Sequence, residues 1–216
     1  MDDQSKKEMN QYYSNLLDIH GPKREALGIG FETDDQQREK FNLVRETLSI
    51  DAHDSILDVG CGLGYFCEYF RQLGWKGHYT GIDINENMIQ AAKLRLPDED
   101  FVCADISKNH SLKDHDHVCC IATLQHRPKY AEPWDYLKEM INAMFKHTQK
   151  SLIFDLFTTK VDFMKDDNLY ADPLRVLEHC YTLTNRLMLR NDYRPFQYMM
   201  SLYKDNLKNE KNTFLK

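Results

Sequence analysis

The segment "SILDVGCGLGYF", residues 55–66, places Gly60, Gly62 and Gly64 at alternate positions directly behind a short apolar run. Glycine tolerates positive φ and carries no Cβ, so a ligand can lie against the main chain of such a turn and against the amides that open the next helix. Two acids follow. Asp83, 19 residues after Gly64, closes the next strand-like run, where a carboxylate can accept both hydroxyls of a ribose. Asp105, in "FVCADI", ends a third run and is placed to receive an adenine amino group. Asp58 precedes the glycines, positioned to orient the loop amides or to meet an ammonium group. The dinucleotide fingerprint GxGxxG needs a glycine where Tyr65 stands, and the GK[ST] ending of a phosphate-binding loop is absent. Acids with no lysine or arginine in the loop fit a nucleoside ligand carrying an amino acid and a sulfonium better than one carrying phosphates.

Such residues need a frame that brings strand ends together. From Ser55 onward, strand-like runs at 55–59, 78–83, 100–104, 117–122 and 151–157 alternate with helix-period segments. That is the pattern of an α/β fold with a mostly parallel sheet and crossover helices, whose ligands sit at the carboxyl ends of the strands. Phe66, Tyr69, Phe70 and Leu73 share a helix face that Gly74 stops; Met88, Ile89 and Ala92 mark a second helix, capped by Asn85 and followed by Pro97. Leu137, Met140, Ile141, Met144 and Phe145 mark a third. Asp172 and Pro173 read as an N-cap and first-turn proline, with Leu174, Leu177 and Tyr181 on one face of the helix behind them. "RLMLRND" and "QYMMSLY" read as an antiparallel pair at one sheet edge. Residues 1–50 form an N-terminal helical cover with a Gly-rich turn at "ALGIGF", residues 51–204 the ligand-binding domain, and residues 205–216 a tail too poor in apolar side chains to order itself.

The 216 residues suffice for one domain with an accessory region. A formal charge of −6 leaves no global positive excess, so neither nucleic acid nor a membrane surface is an expected partner. No apolar run approaches the ~20 residues of a membrane span, and "MDDQSKKEMNQYYSN" lacks the apolar centre of a signal peptide, which makes the cytoplasm the expected compartment. The six cysteines show no CxxC spacing, and most sit inside apolar runs, as buried reduced thiols would. In "KDHDHVCC" His115 and His117 alternate into a strand while Cys119 and Cys120 face opposite ways, so no metal site is expected.

"ILDVGCGLGYF", "YTGIDINENMI" and "FVCADI", in this order and spacing, strongly resemble the class I S-adenosylmethionine-dependent methyltransferases over residues 55–160. "HGPKREALGIGF", "YLKEMINAMF" and the stretch from Leu169 to Lys204 extend a narrower likeness to small bacterial methyltransferases of mostly unassigned substrate. That group more often has tryptophan at Ile29 and arginine at Lys40. The resemblance implies a Rossmann-like seven-stranded sheet with an antiparallel last strand, helices on both faces, and S-adenosyl-L-methionine as cofactor. It gives Gly60, Cys61, Gly62 and Gly64, with Asp58, to the methionine part, and Asp83 to the ribose. It gives Ile84, Met88 and Ile106 to the adenine surroundings, Asp105 to the adenine amino group, and Ala122 with Thr123 to the strand-four wall.

Methyl transfer from a sulfonium is an in-line displacement of an activated group, and a base is needed only when the nucleophile arrives protonated. The acceptor-side candidates are Thr123, Gln125 and His126 after the fourth strand, with Tyr13 from the cover; Arg127 reads as part of a solvated loop. Tyr12 and Tyr13 either close the site or only pack the cover, and Phe157, Tyr170 and Tyr193 lie near pocket edges but read first as core. The amino-directed nucleic-acid motif [DN]PP[YF] is missing after strand four. A small-molecule acceptor with an O or N nucleophile is expected, and a monomer or homodimer. The rivals are a protein-directed enzyme and a non-catalytic module that binds the cofactor or its demethylated product.

Overall fold

A computed structural model describes residues 2–28, 34–109 and 111–204. Ile29, the second half of the turn expected at "ALGIGF", and the tail expected to fray at 205–216 lie outside the described residues. The chain opens with α1 (Asp3–His20), a short 3-10 turn (Arg24–Leu27) and α2 (Asp34–Thr47). Then β1 (Ile56–Val59), α3 (Tyr65–Gln72), β2 (Tyr79–Asp83), α4 (Glu86–Arg95) and β3 (Asp100–Cys103) alternate. They are followed by β4 (His115–Cys120), α5 (Pro133–Lys146), β5 (Thr148–Thr158), β6 (Tyr170–Ala171), α6 (Pro173–Tyr181), β7 (Leu187–Arg190) and β8 (Gln197–Tyr203).

Among the described residues the sheet order is β3-β2-β1-β4-β5-β8-β7, with two-residue β6 pairing the far end of β5. The last strand, β8, runs antiparallel to both neighbours, and the other neighbouring pairs are parallel. This is the expected Rossmann-like architecture, with β6 as one short addition. Side chains alternate across the sheet as strand geometry requires. Leu57, Val59, Val118, Cys120, Leu152 and Phe154 pack on one face with α5 and α6, whereas Ile56, Cys119 and Ile153 pack on the other with α2 and α3. Helices therefore cover both faces.

The local signals act as their chemistry predicts. Asn85 Oδ1 accepts from Met88 N at 3.1 Å to start α4, and the Asp172 carboxylate accepts from Leu174 N at 2.8 Å ahead of Pro173. Most strand ends fall within one residue of the sequence reading, and the larger differences are in β4, which runs from His115 to Cys120, and β5, which begins at Thr148; His115 pairs with Thr148 ahead of a register shift. On α6 Val176 and Cys180 are buried and Leu177 packs partly buried against the same core, as expected of it, while Leu174 and Tyr181 are exposed. All six cysteines are free, and Cys103, at the end of edge strand β3, is exposed. No helix among the described residues is long and apolar enough to cross a membrane.

His115 and His117 serve the opposite end of the sheet from the strand carboxyl ends. His115 Nε2 lies 2.9 Å from Thr80 Oγ1, and His117 bridges Ser151 Oγ at 2.6 Å and Asp54 Oδ2 at 2.9 Å. Burial holds both imidazoles below the ordinary histidine range.

Candidate active site

At the carboxyl ends of β1, β2 and β4 the chain leaves a cavity whose floor is the glycine turn. Gly60 (φ +75°) and Gly62 (φ +51°) adopt the left-handed region. A Cβ on Gly60 would run into the Thr123 side chain, and one on Gly62 would come within 2.7 Å of Leu27 Cδ2. The turn is tied back to the sheet by Gly60 N and Cys61 N, which both donate to Ile82 O. Gly64, at φ +79°, heads α3 instead. Its Cβ position faces the Phe101 ring 2.8 Å away, so the structure does not bring it to the cavity wall. The third glycine permits close packing of α3 against β3, a role its spacing alone could not separate from ligand contact.

Asp83 stands at the end of β2 with both oxygens engaged by backbone. Oδ2 accepts from Gly62 N at 3.0 Å and Oδ1 from Asn85 N at 2.9 Å. Burial pushes its carboxyl above the ordinary range, against the pull of those amides. Asp58 lies behind the turn, accepting from Tyr79 Oη at 2.8 Å. Burial pushes it up to about 7, and the Tyr79 hydrogen bond only partly offsets the shift while neighbouring Asp83 adds to it. Asp105 uses Oδ1 for Ser107 N (3.0 Å) and Ser107 Oγ (2.8 Å); its Oδ2 is buried in the wall with no partner among the described residues. A buried carboxylate oxygen without a donor is costly, so this atom marks where a donor from a ligand fits.

Ile84, Met88, Ala122, Thr123 and Cys61 join Asp58, Asp83 and Asp105 around the cavity, as the sequence reading placed them. Ile106 does not: it is buried in the core beneath the loop. The sequence reading missed the contributions of Gln37 and Phe41 from α2, Leu27 from the 3-10 turn, and Tyr136 and Met140 from α5. Periodicity marks Phe41 and Met140 as inward-facing, but it cannot say that a cavity lies inside.

A second cavity adjoins the first, and Met9, Tyr13 and Ala122 belong to the walls of both. Around it stand Gln125, His126, Tyr12 and Phe157, so Gln125, His126 and Tyr13 come together while Thr123 stays on the first cavity's side. Thr123 Oγ1 lies 3.2 Å from Val59 O and 3.3 Å from Gly60 O, clamping the β4 exit to the glycine turn. The His126 ring lies 5.5 Å from Tyr12 and 6.2 Å from Tyr13, and burial holds its pKa below the ordinary value. Burial moves the Tyr13 hydroxyl the other way, well above the usual phenol range, so it stays protonated. Arg127 borders this cavity and is exposed in the loop after β4, as expected of a solvated residue; Tyr170 packs on Phe157 with ring centroids 5.6 Å apart.

Beneath the shared wall sits Asp155, fully buried on β5. Its Oδ1 accepts from Ala122 N at 2.6 Å, and its Oδ2 accepts from Gln125 Nε2 at 2.6 Å and from Lys40 Nζ at 2.7 Å. One carboxylate thus fixes the cover helix α2, the β4 exit and a second-cavity side chain. Ala122 adopts φ +60°, a left-handed conformation costly for a residue with a Cβ. The hydrogen bond to Asp155 holds it there.

The family described as "Methyltransferase domain" matches residues 57–146. The "Putative methyltransferase Rv1506c" of Mycobacterium tuberculosis is 27% identical over 69% of this chain and 93% of its own length. The malonyl acyl-carrier-protein O-methyltransferase of Bacillus cereus is 30% identical over 50% of this chain and 38% of its own. Among solved structures, magnesium protoporphyrin IX methyltransferase from Synechocystis with bound SAH superposes with TM-score 0.68 at 17% identity, covering 92% of this chain and 99% of that one. CalS10, an amino pentose methyltransferase from Micromonospora echinaspora with SAM bound, gives 0.63 at 13% identity, over 81% of this chain and 92% of that one. At those identities the structural likeness is one of fold.

Proposed function

We propose that the chain is a class I S-adenosylmethionine-dependent methyltransferase that methylates a small-molecule acceptor, with the donor in the first cavity and the acceptor in the second. The observation that carries this reading is the shared wall of Met9, Tyr13 and Ala122, which puts a largely apolar cavity bordered by Asp58, Asp83 and Asp105 back to back with a more polar one. The residues fit the donor. Asp105 Oδ2 lacks the hydrogen-bond donor that an adenine amino group brings, and the turn at Gly60 and Gly62 has room only for backbone.

In this reading Asp58 and the amides of Gly60, Cys61 and Gly62 hold the amino-acid part, Asp83 the ribose, and Asp105 the adenine edge, with Ile84 and Met88 against its faces. When bound, S-adenosylmethionine supplies a methyl carbon already activated by the adjacent positive sulfur. The chain's own work is to orient and to exclude water, with Ala122 and Tyr13 standing on the wall common to both cavities. Gln125 turns its amide nitrogen to Asp155, which leaves its carbonyl oxygen to accept a hydrogen bond. His126, kept neutral by burial, can accept a proton from a hydroxyl or ammonium nucleophile at neutral pH. Small acceptors also occur among the neighbours, whose names specify a porphyrin and an amino pentose.

Incubating the protein with methyl-labelled S-adenosylmethionine and size-fractionated extract tests the reading. Label is expected in the small-molecule fraction; label confined to protein would overturn the acceptor class.

Asp58 gives a pH-dependent prediction. Its folded pKa is raised, so the stability it affects is fully present below the unfolded value near 3.9 and is lost as pH rises through about 7. Asp58→Asn keeps an oxygen for Tyr79 Oη and removes the buried charge. It is expected to be more stable than the parent at pH 8, by about 2 kcal/mol, with the gap closing at pH 5. The donor's ammonium and sulfonium favour an ionised Asp58, so affinity for S-adenosylmethionine is expected to rise between pH 6 and 8 in the parent and to stay flatter in the variant. Urea denaturation and calorimetric titration at the three pH values check both; a stability gap that does not vary with pH would contradict the assignment.

A further inference from the structure

The second cavity also says something about the charge of its occupant, provided it is the acceptor's, as proposed above. Among the described residues five charged side chains stand around it: Glu8, Arg127, Lys129, Lys165 and Asp167. Lys129 and Glu8 neutralise one another at 3.5 Å. Neither Arg127 nor Lys165 makes a side-chain ion pair among the described residues, and Asp167 balances only one of them, which leaves a net positive charge beside a neutral His126.

These cations do not sit on loose loops. The segment after β4 is stitched to the segment after β5 by Arg127 N to Asp167 O (2.9 Å), Leu169 N to Gln125 O (2.9 Å) and the bridge between His126 and Asn168. Lys165 N in turn donates to Tyr170 Oη at 3.1 Å. The two segments thus carry Arg127 and Lys165 to the exposed side of one cavity, while Gln125 and His126 lie half-buried next to the shared wall. Tyr12, Tyr13 and Phe157 add aromatic surface between the two ends.

We propose that the methyl acceptor is a small organic oxyanion, with its carboxylate or phosphate held by Arg127 and Lys165 and its nucleophile directed to Gln125 and His126. A guanidinium suits a two-oxygen anion and the ammonium adds a point charge, so the pair selects for charge while the aromatic walls accept a planar body. The overall charge of −6 does not oppose this, since the selecting charges are local.

The test uses four probes with a common phenol: 4-hydroxybenzoate, 4-hydroxyphenyl phosphate, 4-hydroxybenzamide and 4-hydroxybenzylamine. Each is titrated calorimetrically into the full chain saturated with S-adenosylhomocysteine, and into the double variant Arg127→Gln, Lys165→Gln. At least one anion is expected to bind the parent about tenfold tighter than the amide or the amine, the size of one charge-assisted contact. In the variant the gap is expected to fall to about twofold. Which anion leads distinguishes carboxylate from phosphate. Failure of both anions to bind, or a gap that survives in the variant, overturns the proposal. The saturating step reports separately on the donor, because a parent that does not take up S-adenosylhomocysteine refutes the methyltransferase site itself.

Discussion

Asp83→Ala is expected to weaken binding of S-adenosylmethionine about a hundredfold or more while the fold persists. A carboxylate offers roughly four acceptor sites, and the amides of Gly62 and Asn85 take one on each oxygen. Asp83 lines the cavity, and in the proposed reading its remaining capacity takes the two hydroxyls of one ribose. Losing two hydrogen bonds to a charged acceptor costs about 1.5–3 kcal/mol each, which gives the hundredfold figure at about 1.4 kcal/mol per decade. The fold is expected to survive because Asp83 ends its strand: the β2 ladder to β1 and β3 does not depend on its side chain, and the freed Gly62 amide borders a cavity that water can enter. Calorimetry with S-adenosylhomocysteine and a circular dichroism melt check the two halves. Unchanged affinity would mean that the ribose lies elsewhere.

Asp155→Leu is expected to be the most destabilising single change, at about 3–5 kcal/mol. It removes the carboxylate opposite Lys40, which is itself 1% exposed, and with it the acceptors for Ala122 N and Gln125 Nε2. Breaking one side of a buried ion pair costs more than the pair contributes, because a desolvated charge is left behind. The double variant Lys40→Met, Asp155→Leu is therefore expected to recover most of the loss in urea denaturation. It is not expected to recover activity, because Ala122 and Gln125 still lack their anchor. A loss below about 1 kcal/mol in the single variant would show that the pair is not dry.

The legible part of this molecule was what neighbouring residues decide together. The strand, glycine turn and helix at 55–72, the caps at Asn85 and Asp172 and the antiparallel β7–β8 pair each follow from local backbone chemistry, and each stands where the sequence puts it. Asp58, Asp83 and Asp105 stand out the same way, as acids at or near strand ends, and all three border the first cavity. The missing part is long-range. Lys40 and Asp155 are 115 positions apart, and Lys40 stood out only as a departure from an arginine pattern. Nothing in either neighbourhood announces the pairing. Gln37, Tyr136 and Met140 reach the cavity for the same reason, through the angle at which their helices cross the sheet. The burial of Val176 and Cys180 in place of Leu174 and Tyr181 depends on how α6 is rotated, which two apolar stripes of similar strength leave undecided.

Helix α1 belongs to both cavities through Met9 and Tyr13, yet polar contacts tether it: Asn85 Nδ2 to Asn10 O and Ser14 Oγ, Tyr130 N to Ser5 Oγ, and the exposed Asp3–Lys108 pair. Such contacts are individually weak, and segments held this way open at lower free energy than the core. In the proposed reading α1 closes over the shared wall during transfer, and release of spent donor is expected to require it to lift. The lifetime of that closed state would then set how often a turnover begins.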